Sequence, residues 1–502
     1  MKYLLFFSAI LFSNNICADD LSSVSNFVLD DFLGTIFQPI VDILASIFFF
    51  KIAGFPFLVL WLVSGSVFFT LYLKFVNIRL FRHAINVVRG KYSNPNDPGK
   101  VTHAQALFTA IAATVGLGNI AGVAIAITLG GPGAVIWMMI AAFFGMSAKY
   151  SEVLLGLKYR KISKDNHLSS GPFYYLRDGL KEIGHAKLGK ILGLIAAICC
   201  IFGALGAGIL FQANQAVAIL VSEFEFNQTD QFIIVLILAA IIGFVLIGGV
   251  VRVAHFAEKI VPFMAVLYVI TCLVIIGVNY DLIGEGLSTM FASAFGNGSA
   301  LYGGIVGAII QGFKRSAFSN EAGIGSAAIA HAAAKTKEPV REGAVAILEP
   351  FIDTIIICFM TGLVITITGA YIGSEGMGGV LITAKAFSTV SDKFATLLSF
   401  IVLLFAFSTM LTYCYYGRQA WDYLTKGKYE KLCYSVFILF VILGGMLKLG
   451  VVVDLADILF LSMSVPNIIG LYFMAPIIKK ETASYIEKLK AGKFKIAKDF
   501  KA

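Results

Sequence analysis

Thr114-Val115-Gly116-Leu117-Gly118-Asn119-Ile120-Ala121-Gly122 and Phe318-Ser319-Asn320-Glu321-Ala322-Gly323-Ile324-Gly325-Ser326 are two runs that interrupt otherwise apolar, helix-like sequence. Each sets glycines around an asparagine. Glycine costs about 1 kcal/mol against alanine inside a helix, so such windows unwind cheaply. Unwound backbone is tolerated at membrane depth only where its free N–H and C=O groups meet protein, ligand or water. Breaking a helix exposes the N-terminus of one half, which attracts a carboxylate, and the C-terminus of the other, whose carbonyls attract a cation. A zwitterion and a sodium ion fit that pair of ends. Close helix packing is the other use of such glycines, and the matched asparagines argue against it.

The surroundings of both runs belong to a bilayer. The chain has 502 residues, 58% of them hydrophobic and 14% charged, with a mean hydropathy of +0.86; soluble domains carry roughly 25% charge. Apolar stretches long enough to span are expected near 54–76, 103–128, 131–157, 190–220, 231–250, 260–279, 299–320, 343–370, 394–416, 432–449 and 455–477. The fold class is therefore an all-α polytopic membrane protein of about eleven helices, with one transmembrane domain over 54–477.

Lysine and arginine fill alternate loops: Arg79, Arg82, Arg89 and Lys91, then Lys158, Arg160, Lys161 and Lys164, then Arg252, Lys335, Lys337, Arg341 and Arg418. The positive-inside rule makes these loops cytoplasmic, with the N-terminus outside and the C-terminus inside. The net charge of +9 follows from these loops and from the lysines of 478–502, a basic tail suited to anionic lipid rather than nucleic acid. Lys2, the apolar run after it and Ile16-Cys17-Ala18 predict a secretory signal over 1–18, an uncleaved anchor being the alternative. Residues 19–53 alternate apolar side chains with Asp30, Asp31, Gln38 and Asp42, as in an amphipathic helix on the outer surface. The seven cysteines show no paired spacing and read as small buried hydrophobes.

With the first span set aside, the two glycine-broken spans stand five places apart and run in opposite directions, as in the inverted repeats of sodium-coupled carriers. Gln212, Asn214, Ser408, Thr409, Thr412 and Tyr413 add polar groups at membrane depth, able to complete a shell of hard oxygens or bind an ammonium group. Back-bonding to its own helix is the alternative for any single hydroxyl. Lys149 and Glu152, and Glu349 and Asp353 at i, i+4 spacing, are buried charges expected to pair as clamps with Lys314 or Arg315. Proton coupling is the alternative role for Asp353. No Walker A, HExxH or GxSxG pattern occurs, and the glycines at 116, 118 and 122 miss the dinucleotide spacing, so neither an ATP-driven pump nor an enzyme is expected.

Several blocks in order resemble the alanine/glycine:cation symporter family: 116–160 with Asn119-Ile120-Ala121-Gly122-Val123 and Gly130-Gly131-Pro132-Gly133, then Gly171-Pro172-Phe173-Tyr174-Tyr175, the second broken run, and Phe351-Ile352-Asp353-Thr354. The resemblance covers about 55–477. It implies a leucine-transporter-like 5+5 inverted-repeat core with one additional N-terminal helix, in an inner membrane. It further implies symport of alanine or glycine with Na+, or H+ as the alternative coupling ion, by a monomer without organic cofactor. Carried over by position, substrate would touch Gly116, Leu117, Gly118, Asn119, Gln212, Ser319, Asn320, Thr409 and Tyr413. Sodium would meet Thr114, Val115, Ser408 and Thr409. Leu117, Thr412, Tyr413 and the pair Ser316-Ala317 depart from the family's usual residues, as do Ala328 and Ile329, so the pocket's volume and its carboxylate donors differ from the pattern. A channel that equilibrates its solute and a sensor that binds without transport are the competing classes.

Overall fold

The computed structural model describes residues 35, 37–162, 168–246, 249–296, 304–374 and 376–497, with the backbone alone at 249–258. The expected signal at 1–18, most of the amphipathic segment before Phe37 and Lys498 of the tail lie outside the described residues. The remainder of that segment forms an apolar helix, Phe37–Phe48. Among the described residues, strands are confined to two ladders of two residues a side, Lys51–Ile52 with Phe55–Pro56 and Lys161–Ile162 with Leu168–Ser169.

The principal helices begin with α1 (Phe57–Tyr72), α2 (His103–Thr114), α3 (Val123–Gly130) and α4 (Gly133–Lys158). There follow α5 (Ala186–Glu223), α6 (Gln228–Leu246) and α7 (Gly249–Val278). The second half holds α8 (Gly304–Asn320), α9 (Ala327–His331), α10 (Pro339–Ile367), α11 (Gly379–Ser388), α12 (Asp392–Thr425), α13 (Glu430–Met446), α14 (Leu449–Leu461) and α15 (Ser464–Lys490). Each expected span contains one of these helices or a pair of them.

By length and apolarity alone, seven helices among the described residues can cross a bilayer, and the broken pair α2 and α3 makes an eighth, bent by 54°. A full crossing takes about 20 residues, and α1, α8 and α13 are shorter, with 16, 17 and 17. For α8 the reason is visible, because its chain unwinds after Asn320. The loop expected between 371 and 393 contains a helix, α11, and the last expected span divides at 462–463 and continues as helix to Lys490.

Small residues let the two broken spans touch. A Cβ added at Gly118 would lie 3.4 Å from Ser319 Cα, and one at Gly130 only 3.1 Å from the Gly307 carbonyl. Numbers rise along one chain as they fall along the other, so the broken spans lie antiparallel. The basic loops gather at one end. There the Arg160 guanidinium donates to the carbonyls of Pro98 (2.8 Å), Ala332, Ala334 (2.7 Å) and Thr336 (2.6 Å). Segments 98–101 and 333–336 join by Lys100 N–H and Val101 N–H to Ala333 O, Lys335 N–H to Val101 O and Thr336 N–H to Pro98 O. Lys158 meets Glu481 at 2.7 Å, which brings α15 to the same end. At the opposite end Thr396 donates to Glu223 at 2.6 Å. Arg160, Lys158 and Lys335 of the basic loops thus share one end, whereas Lys164 and the Arg252 side chain lie outside the described residues.

Burial grades outward from the breaks. The most apolar stretches of α4 and α10 are 72% buried, those of α6 and α7 only 33%. The exposed side chains of these outer helices, such as Phe244, Phe263, Ile270 and Leu273, are large and apolar. That is the pattern of a lipid-facing shell around a packed interior.

Candidate functional site

Both breaks are held by their own asparagines. Thr102 and Gln105 form a reciprocal capping box that fixes where α2 starts, with Gln105 Oε1 accepting the Thr102 N–H at 2.8 Å. The chain leaves helical geometry at Val115, where ψ is 84°, and resumes as a π-helical turn, Gly118–Gly122. In between, Asn119 Oδ1 accepts the Gly116 N–H at 2.9 Å and Gln212 Oε1 accepts the Leu117 N–H at 3.0 Å. Side-chain amides thereby replace the carbonyls that a continuous helix would supply. At the second break Glu321, Gly323 and Gly325 take φ of 58°, 89° and 92°. Glycine accepts that conformation without strain. Glu321 is held in it by Tyr413, whose hydroxyl donates to the carboxylate at 2.6 Å, and by Ser326. Asn320 Oδ1 accepts the Ala322 N–H at 3.0 Å.

Three π-helical turns converge here: Gly118–Gly122, Ala204–Leu210 within α5, and Phe351–Cys358 within α10. An extra residue in a turn re-aims side chains, which is why such turns gather at functional sites. The first carries Asn119 and the second directly precedes Gln212. The third carries Asp353, Thr354 and Cys358. The Asp353 carboxylate is fully buried and receives Asn119 Nδ2, Ser319 Oγ and Thr354 Oγ1, each at 2.7 Å. Asn119 Nδ2 also meets Asp353 O at 3.0 Å and Cys358 Sγ at 3.3 Å, and Ser319 Oγ lies 3.3 Å from the same sulfur.

The residues expected to meet an ion lie one turn away. Ser408 Oγ and Thr409 Oγ1 both donate to the Ala112 carbonyl, at 3.1 and 3.2 Å. The Thr114 hydroxyl bonds back to Ala110 O at 3.3 Å, and the Thr114 carbonyl accepts the Gly116 N–H at 2.9 Å. Carbonyl and hydroxyl oxygens form this donor set; among the described residues no group of three His, Cys, Asp or Glu side chains could hold a metal.

Gly116, Leu117, Gly118, Asn119, Gln212, Ser319 and Thr409 therefore lie together. Asn320 faces aside, toward Ser316 (2.9 Å) and Thr354 (3.0 Å), and Tyr413 reaches Glu321 rather than the first break. Ala112 and Cys358 were missed: a backbone carbonyl has no sequence signature, and a cysteine in an apolar run reads as packing.

The expected clamps pair otherwise. Lys314 and Arg315 both meet Asp457 of α14, Lys314 at 2.6 Å, instead of Glu349 or Asp353. Glu349 is taken by Lys149 at 2.6 Å, and Lys149 also donates to the Asn320 carbonyl. From Glu349 a buried chain continues through His331 (3.4 Å) and Glu342 (2.6 Å from His331) to His103. It ties α4, α10, α9 and α2 together.

Space at the first break is tight. A Cβ at Gly116 would lie 2.4 Å from Thr409 Oγ1 and 3.2 Å from Gln212 Oε1, whereas one at Gly122 meets nothing closer than 3.9 Å. Gly116→Ala is expected to lower transport by at least about tenfold and Gly122→Ala by less than about threefold, measured as initial uptake per reconstituted protein. Equal effects would mean that the crowding at Gly116 is irrelevant.

The sodium:alanine symporter family matches residues 36–499. The chain is 40% identical over 435 residues to the sodium/alanine symporter AgcS of Methanococcus maripaludis, covering 86% of this chain and 94% of that protein. It is 32% identical over 438 residues to a Bacillus subtilis protein named probable sodium/glutamine symporter GlnT, covering 87% and 89%. Among solved structures it is similar to MhsT in complex with L-phenylalanine, with a TM-score of 0.53 at 14% identity, covering 76% of this chain and 98% of that one. That likeness identifies the fold.

Proposed function

The chain belongs to the sodium:alanine symporter family, and from that premise we propose that it is a secondary active transporter carrying alanine or glycine inward with sodium by alternating access. The observation that carries this reading is the junction of two antiparallel broken helices, where Gly118 faces Ser319 and both breaks reach Asp353 through Asn119 and Ser319. Such a junction places helix ends of opposite partial charge beside buried oxygens, as a zwitterion and its companion ion require. The core is a 5+5 inverted repeat preceded by α1, with about eleven spans in an inner membrane, the N-terminus outside and the basic end cytoplasmic. Substrate would touch Gly116, Leu117, Gly118, Asn119, Gln212, Ser319, Asn320, Thr409 and Tyr413, and sodium the Ser408 and Thr409 hydroxyls with carbonyls of 112–115.

Crowding supports a small side chain. Gly116 is hemmed by Thr409 and Gln212, and the rings of Phe211, Phe318, Phe460 and Tyr413 meet edge to face in series beside the breaks at centroid distances of 5.1, 5.6 and 6.1 Å. Proteoliposomes given an inward sodium gradient are expected to accumulate labelled alanine, with unlabelled alanine and glycine competing and glutamine not. Equal uptake with and without sodium at fixed membrane potential would refute sodium coupling, and glutamine competition would refute the size argument.

A further inference from the structure

Lys149, Glu349, His331, Glu342 and His103 are buried titratable side chains that touch one another in that order, and the transport reading leaves their chemistry unused. Lys149 meets Glu349 Oε1 at 2.6 Å. The His331 ring reaches Glu349 Oε2 through Nε2 at 3.4 Å and Glu342 Oε1 through Nδ1 at 2.6 Å. His103 Nδ1 meets the other oxygen of Glu342.

These contacts say where the protons sit. A carboxylate accepts hydrogen bonds and cannot donate them, so His331, with a carboxylate at each ring nitrogen, donates from both and is an imidazolium. His103 faces a carboxylate at Nδ1 only, and its buried Nε2 has no hydrogen-bond partner among the described residues. A neutral ring protonated on Nδ1 satisfies it. Two cations, Lys149 and His331, then match two anions, Glu349 and Glu342, which is the condition for burying so many ionisable groups. The other charged or titratable groups packed around them turn elsewhere. Arg160 donates to the carbonyls of Ala332 and Ala334, Arg341 to Tyr92 O and the Tyr485 hydroxyl, and His83 meets that same hydroxyl. Glu152 accepts from Asn467, and Glu321 from Tyr413 and Ser326.

Of the two matching cations, the imidazolium is the one that can give up its proton near neutral pH. Losing it would leave two carboxylates against one lysine and turn a ring lone pair onto a carboxylate oxygen. His331 is the last residue of α9, next to the stretch 332–336 that Arg160 and segment 98–101 hold at the basic end. The contact of α9 with the Glu342 and Glu349 side chains of α10 is therefore made through a removable proton.

We propose that the proton on His331 is a latch on the inner opening: while it is bound α9 stays against α10, and when the cytoplasmic side turns alkaline it leaves and the inner end opens more readily. The inference rests on the transport reading above. The proton is not carried with the substrate, so it sets the rate of release without entering the stoichiometry.

Two variants should move in opposite directions. His331→Gln presents one donor and one acceptor where both carboxylates need donors, so α9 is released at every pH. Glu342→Gln accepts from His103 through its oxygen and donates through its amide to a neutral His331, whose Nε2–H still serves Glu349, so the latch holds at every pH. The readout is the initial rate of sodium-driven alanine transport in proteoliposomes of one orientation, with pH stepped on the basic side alone. The wild-type rate is expected to rise about tenfold as that side becomes alkaline, and a step on the opposite side should not reproduce the rise. His331→Gln should be fast already at neutral pH and flat, and Glu342→Gln slow and flat; should one fail to fold, the other decides. A flat wild-type profile, or either variant keeping the wild-type profile, would overturn the latch. So would a null potential that follows the pH gradient, which would make the proton a transported ion. Absence of sodium-driven accumulation by the wild type at every pH would instead overturn the functional reading.

Discussion

Alanine uptake by an Asn119→Ala variant is expected to fall by about 100-fold or more, with the protein still inserted and monodisperse. Asn119 performs two tasks at once: its carbonyl closes the Gly116 N–H, and its amide binds both the backbone oxygen and the carboxylate of Asp353. Alanine leaves the Gly116 N–H with the Thr114 carbonyl alone and takes from the Asp353 carboxylate one of its three donors, the one on Oδ1. A hydrogen bond to a charged group is worth roughly 1.5–3 kcal/mol, and every 1.4 kcal/mol is about tenfold in an equilibrium. Loss of this pair of contacts therefore accounts for about two decades. The protein should survive, because the strain is confined to one short unwound stretch flanked by α2 and α3. Initial rates in proteoliposomes, normalised to reconstituted protein, measure the effect; transport within a few-fold of wild type would place the binding junction elsewhere.

Lys149→Met is expected to damage the fold rather than the site. Lys149 and Glu349 are both fully buried, 2.6 Å apart. Removing one partner of such a pair costs about 3–5 kcal/mol, because the remaining charge is stranded, while replacing both by apolar residues is often neutral. The single variant should show a lower melting temperature in detergent and a poor yield of monodisperse protein. The double variant Lys149→Met with Glu349→Met should recover most of that loss, since His331 retains Glu342. A double variant no better than the single would mean that Lys149 matters for its bond to the Asn320 carbonyl and not for the ion pair.

Much of this was legible in the chain. The glycine and asparagine windows announce both breaks because their chemistry is local: Asn119 and Asn320 act on N–H groups three and two residues away. Lys158, Arg160 and Lys335 mark loops that the structure brings to one end. What could not be read depends on rotation about helix axes. Glu349 and Asp353 share a face by spacing, yet Lys149 meets one and neutral groups the other, and Asp457, far along the sequence, captures Lys314 and Arg315. The π-helical turns in α5 and α10 shift that rotation by one residue, and no periodicity marks them. Helix α11 was hidden for a different reason: its ten residues are too short and too mixed to stand out. It covers the first break, with Thr383 donating to the Ile120 carbonyl at 3.2 Å.

The lacing of 98–101 to 333–336, riveted by Arg160, has a mechanical consequence. Four backbone hydrogen bonds and the fan of guanidinium contacts bind the lead-in to α2 to the exit from α9. Those two arms swing together or not at all, as a single lever whose fulcrum is displaced toward the unwound midpoints. Any aqueous path that opens at the basic end must skirt this lever on one flank, because parting its two arms means unstitching a seam.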